Sequence, residues 1–140
     1  MSSKLSLPAA NSSSTAAVNP QKGRTGLTRI WYATTYSAAG LHAAWNETAF
    51  RQELLLAMVR VPTAIWLGST WIEISLLVTT VVVVLIIELL NTGIEVAINR
   101  IGLEFHELSK LAKDLGSAAV LLSLLLCSGV WLAALYHRFI

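Results

Sequence analysis

The chain has 140 residues, enough for one domain at most. Hydrophobic types make up 55% and charged types only 13%, with a mean hydropathy of +0.65, too few charges to cover a soluble domain and too much apolar content for disorder. A net charge of +2 argues against nucleic acid, and the lone Cys127 excludes a disulfide framework or a cysteine-built zinc site, which leaves a small all-α integral membrane protein.

Residues 1–25 are rich in Ser, Ala and Asn, with no acids and no apolar core of signal-peptide length, and read as a disordered cytoplasmic tail. The pattern then changes. Leu27, Ile30, Trp31, Thr34, Ala38, Leu41 and Trp45 recur at helical spacing and form one stripe, apolar apart from Thr34. Two tryptophans on such a stripe, beside basic residues, predict an amphipathic surface helix over 27–50 lying in the membrane interface.

Three apolar segments follow, placed at about 53–70, 72–92 and 115–137. The last contains 22 residues without a charge, Leu115–Tyr136, and a span needs about 20. The second holds the uncharged run Ile74–Ile87, bounded by Glu73 and Glu88, so Glu88 sits near a membrane face or within the bilayer. The first is interrupted by Arg60, whose stem can snorkel, and by Pro62, which favours a kink. With three spans, Lys4, Lys22, Arg24, Arg29, Arg51, Arg100, Lys110 and Lys113 fall on one side and only Arg138 on the other, which predicts a cytoplasmic N-terminus and an outward C-terminus. Ala119, Ser123 and Cys127 repeat every fourth position, a spacing that lets helices approach closely. Three thin helices bury little alone, so a homo-oligomer is expected.

The acids carry the chemical signal. Glu88, Asn91 and Glu95 fall within about 60° of one another on a helix, and Asn99 extends that face. Carboxylates this deep are costly and by default mark function. One can take a proton from a hydroxyl, and another can hold a hard cation such as Mg²⁺. Glu47 lies at the same membrane level, followed by Arg51 and Glu53. The stretch between the second and third spans adds Glu104, His106, Glu107, Lys110, Lys113 and Asp114, and Lys113 beside Asp114 reads as a phosphate site. Neither GxxxxGK[ST] nor GxGxxG occurs, and the three histidines are far apart. A non-enzymatic membrane subunit with a proton path is the reading from another class, but it wants acids strung through the bilayer, and here they gather at one face.

The runs RIWYATTYSAAGLHAAW, ETAFRQE, IELLNTGIEVAINRIG and EFHELSKLAKDLGSAAV resemble the prokaryotic diacylglycerol kinase family, from about Gly26 to the C-terminus. The resemblance implies a membrane kinase domain over 26–140: a homotrimeric bundle with three transmembrane helices per subunit and an N-terminal surface helix. It implies transfer of the γ-phosphate of ATP to diacylglycerol, giving phosphatidic acid at the bacterial inner membrane, with the C-terminus periplasmic. By the same resemblance Glu88 is the general base and Asn91 supports the site. Glu47 and Glu95 hold Mg²⁺ against the ATP phosphates. Arg29, Tyr36, Glu104, His106, Lys113 and Asp114 contact the nucleotide. Ala49, Phe50, Arg51, Gln52, Glu53 and Ser117 line the lipid cleft together with Glu88. Such roles suit phosphoryl transfer, which asks mainly for positioning, charge neutralisation and a base. An undecaprenol kinase of the same fold is the alternative. Against the family pattern, WNETAF is one residue short, which on a continuous helix rotates Glu47 by about 100°.

Overall fold

The structure, a computed structural model, describes residues 26–140, with Leu27 and Arg29 described by their backbone alone. The tail expected over 1–25 lies outside the described residues. All regular structure among the described residues is helical: α1 Leu27–Ala44, α2 Thr48–Leu67, α3 Trp71–Ile101 and α4 Glu107–Phe139. The described residues fall into two units, 26–36 and Ser37–Ile140, whose boundary falls within α1.

The described part of the first unit is the opening of α1. Thr34 Oγ1 donates to the Ile30 carbonyl at 3.0 Å and Thr35 Oγ1 to that of Tyr32 at 2.8 Å, bonds that turn hydroxyls back onto the helix backbone. The Tyr32 and Tyr36 rings stack with centroids 6.4 Å apart.

In the second unit α1 stops at Ala44, beside the last position of the apolar stripe, and the surface helix expected over 27–50 is broken before Thr48. Asn46 N–H bonds to Ala43 O at 3.1 Å and Glu47 N–H to Ala44 O at 2.9 Å, tightening the last turn. Glu47 is the extended residue before α2, at φ −81° and ψ 129°. The residue missing from WNETAF therefore falls beside a break between helices, and a rotation counted along one continuous helix does not apply.

α2 runs through Pro62, whose missing N–H leaves Met58 O without its helical donor. Its last turn ends on Gly68, and any Cβ there would press on the backbone and side chain of Ile74. Thr70 opens α3 with a capping box: its hydroxyl accepts from Glu73 N–H at 3.2 Å, and Glu73 Oε2 accepts in return from the Thr70 N–H at 3.3 Å. A turn this short makes α2 and α3 neighbours.

α3 is longer than the span expected over 72–92. Its 31 residues extend about 46 Å, against about 30 Å of hydrocarbon. What the apolar count treats as connecting chain is largely helix, and only residues 102–106 link α3 to α4, which opens on His106 Nδ1 accepting from Leu108 N–H at 3.2 Å. α3 and α4 are each long and apolar enough to cross a membrane. α2 has 20 residues but carries Arg51, Glu53 and Arg60.

α3 packs most extensively on α4 and next on α2. One core cluster joins Ala57, Val81, Val84 and Cys127, and a second joins Ala64, Leu67 and Leu77, with Trp131 packed against both. Small residues at these contacts let the backbones approach, and Ser123 and Cys127 of the predicted small-residue row are buried there. Leu121, Leu122, Leu125 and Leu126 of α4 face outward.

Candidate active site

The helical period brings Glu88, Asn91 and Glu95 onto one stripe of α3, as the spacing predicts. Glu88 is 5% exposed. Asn91 Nδ2 donates to Glu95 Oε1 at 3.1 Å, while Asn91 Oδ1 is buried without a partner among the described residues. Gly116 of α4 makes that placement possible, because a Cβ on it would overlap Asn91 Oδ1. Sequence reasoning passed over Gly116. An isolated glycine in a long helical pattern signals close packing, but what it accommodates sits on another helix.

A cavity of about 240 Å³ opens beside this stripe. Ala49, Gln52 and Glu53 of α2, Glu88 and Asn91 of α3, and Ser117, Val120 and Leu124 of α4 line it. Four of the residues expected in a lipid cleft, Ala49, Gln52, Glu53 and Ser117, thus meet Glu88. Phe50 and Arg51 do not, because five consecutive helical residues cannot share one face. Phe50 is buried and lines a separate apolar cavity with Leu41, Trp45 and Leu85, and Arg51 is exposed, donating to Thr48 Oγ1 at 3.4 Å.

The carboxylates at this face are partnered unequally. Glu53 Oε2 lies 3.4 Å from Arg60 Nη1, and Glu95 accepts from Asn91. Glu88 makes no hydrogen bond or ion pair among the described residues, so its oxygens are free to accept from whatever enters the cavity. The Arg60–Glu53 pair also explains the basic residue that interrupts the first apolar segment: its charge ends on a carboxylate.

A second cavity, about 460 Å³, lies further along α3. Glu104, His106, Lys113 and Asp114 line it with Asn99 and Lys110, bringing together four of the residues expected at the nucleotide. Lys113 Nζ donates to Asn99 Oδ1 at 2.9 Å, and Lys110 pairs with Asp114. Asn99 continues the Glu88–Asn91–Glu95 stripe by one more turn, so one helix face joins the two cavities, with Glu95 between them.

Other expected residues stand apart. Glu47 is exposed and lines neither cavity, and its side chain does not cap α2. Tyr36 stands exposed on α1 in the first unit, and the side chain of Arg29 lies outside the described residues. No cluster of three or more His, Cys, Asp or Glu able to hold a metal occurs among the described residues. That donor set does not make an all-protein metal cage. Mg²⁺ held through one or two carboxylates, with phosphates and water completing its shell, asks for no such cluster.

Residues 35–135 match the model of the prokaryotic diacylglycerol kinase family. The chain is 47% identical over 116 residues to a diacylglycerol kinase of Escherichia coli, covering 82% of this chain and 95% of that protein. It is 48% identical over 108 residues to one from Haemophilus influenzae, covering 76% and 92%, and 46% identical over 114 residues to one from Pseudomonas aeruginosa, covering 81% and 93%. With helices able to cross a membrane, an acid-lined cavity at the end of the apolar segments and this extent of identity, the chain belongs to the prokaryotic diacylglycerol kinase family.

Proposed function

We propose that the chain is an ATP- and Mg²⁺-dependent diacylglycerol kinase in which Glu88 takes the proton of the lipid hydroxyl. The observation that carries this is the unequal partnering of the acids. Glu53 has Arg60 and Glu95 has Asn91, whereas Glu88 is buried in a cavity with no donor of its own. A general base needs an acceptor within hydrogen-bond reach of the proton, and Glu88 offers one where a lipid hydroxyl would sit. The hydroxyl oxygen forms a bond to the γ-phosphorus, the bond to the ADP oxygen breaks, and the proton stays on Glu88. Products are phosphatidic acid and ADP.

Asn91 donates to Glu95 and holds that carboxylate in place. Glu95 and Glu47 are the residues proposed to hold Mg²⁺, which when bound offsets phosphate charge. Lys113, Asp114, Glu104 and His106 shape the nucleotide site, with Arg29 and Tyr36 as proposed contacts from α1. Val120 and Leu124, with Ala49, give the lipid cleft an apolar wall.

The same reading has α2 as a third span, α1 as the surface helix, and an inner-membrane protein with a cytoplasmic N-terminus and a periplasmic C-terminus. The basic residues flanking the acid-lined end favour that orientation. The outward leucines of α4 supply apolar surface for a homotrimer or for lipid.

Phosphate transfer from labelled ATP to diacylglycerol, in mixed micelles with Mg²⁺, tests the reading. Transfer to diacylglycerol is expected, and transfer to undecaprenol alone would move the protein to the other lipid. A narrower expectation concerns Lys113→Met, which removes the charge placed by Asn99 in the second cavity. It should raise the KM for ATP roughly tenfold, the loss of one charge-assisted contact. The KM for lipid should stay put, and an equal rise in both would remove Lys113 from the nucleotide site.

A further inference from the structure

A basic residue in the middle of an apolar helix needs a reason. Arg60 lies seven residues beyond Glu53 on α2, two turns or about 10 Å along the axis. Helical side chains lean toward the N-terminus, so a long side chain at 60 reaches back toward 53. Arg60 Nη1 meets Glu53 Oε2 at 3.4 Å, with side-chain exposures of 28% and 18%. The guanidinium thus does not end in open water. It ends on a carboxylate that lines the same cavity as Glu88.

Two carboxylates facing one small cavity repel each other, and an uncompensated second charge would compete with Glu88 for a lipid hydroxyl. We infer that Arg60 is a positioning residue of the lipid cleft: it holds and neutralises Glu53, so that the cleft presents Glu88 as its one unpaired carboxylate. The inference rests on the lipid-kinase reading and deepens it. It assigns a task in substrate binding to a residue that touches neither lipid nor nucleotide.

The experiment compares Arg60→Met, Arg60→Lys, Glu53→Gln and the double variant Arg60→Met/Glu53→Gln in the full-length protein. Each single neutralisation strands one charge, and the double strands none. Arg60→Met should raise the KM for diacylglycerol roughly tenfold, a coupling within the usual range for one ion pair, and leave the KM for ATP unchanged. Arg60→Lys, which keeps the charge, should recover part of the loss. The double variant should bind lipid better than either neutralised single.

A merely structural pair would lower the melting temperature in micelles and leave the KM for lipid alone, and that result overturns the inference. So does a double variant no better than the worse single. Anisotropy of a fluorescent short-chain diacylglycerol, titrated without ATP, makes the same comparison with no turnover. A wild-type chain that transfers no phosphate to diacylglycerol sinks the kinase reading. The anisotropy order of the variants still decides for or against Arg60.

Discussion

Glu88→Gln is expected to cut phosphate transfer by orders of magnitude while leaving the fold intact. Gln keeps the shape of Glu88 and removes its ability to take a proton. The side chain is 5% exposed and makes no hydrogen bond or ion pair among the described residues, so no network collapses when it changes. A neutral amide also costs less to bury than a carboxylate, and the melting temperature should not fall. General-base catalysis contributes about 10²–10⁴-fold, and the loss should lie in that range. Transfer measured beside a thermal melt checks both halves. Wild-type turnover in the variant would move the base elsewhere.

Gly116→Ala is expected to separate activity from stability in a different way. The new methyl would occupy the space of Asn91 Oδ1. That atom is the far end of a side chain and can swing aside, so the cost in stability should stay within about 1 kcal/mol, as for an ordinary mild substitution. The swing breaks the 3.1 Å bond from Asn91 to Glu95. Misplacing a positioning group by an ångström or so can cost about 10²-fold in rate. Gly116→Ala should therefore melt near the wild type and turn over about a hundredfold more slowly, mostly in kcat. A variant that keeps its rate would show that the Asn91–Glu95 bond is dispensable.

The parts of the site legible in the sequence were those set by one helix. Glu88, Asn91 and Glu95 share a face because of the helical period, and the α3 hydrogen bond follows from that spacing. Of the residues gathered in the second cavity, Lys113 and Asp114 were readable as a phosphate site from their adjacency, whereas Glu104 and His106 entered only through the family resemblance. Relations between helices were not readable. The fit of Gly116 over Asn91 and the meeting of α2 with Glu88 depend on packing that no single segment contains. Arg60 and Glu53 share a helix face, yet the sequence offered Arg60 only as a snorkelling cation, because its nearest acid lies two turns away.

Helix ends misled for a physical reason. Apolar length reports the hydrocarbon that a segment crosses, and α3 continues past that limit to Ile101 with nothing to stop it before Gly102. The break at Trp45–Glu47 carries neither Gly nor Pro, and only Asn46 and Thr48 hint at a turn there.

The length of α3 has a consequence for how two immiscible substrates can meet. Glu88 and Asn99 belong to one uninterrupted helix, eleven residues and about 16 Å apart along its axis. The depth at which a lipid alcohol can surface is fixed by the bilayer, and the depth at which a nucleotide can stay hydrated is fixed by water. A rigid rod that crosses from one phase to the other works as a ruler, turning that difference in depth into a count of residues. On the proposed reading of the two cavities, the enzyme needs no moving arm to bring phosphate to the membrane, because covalent geometry already holds the two phases in register.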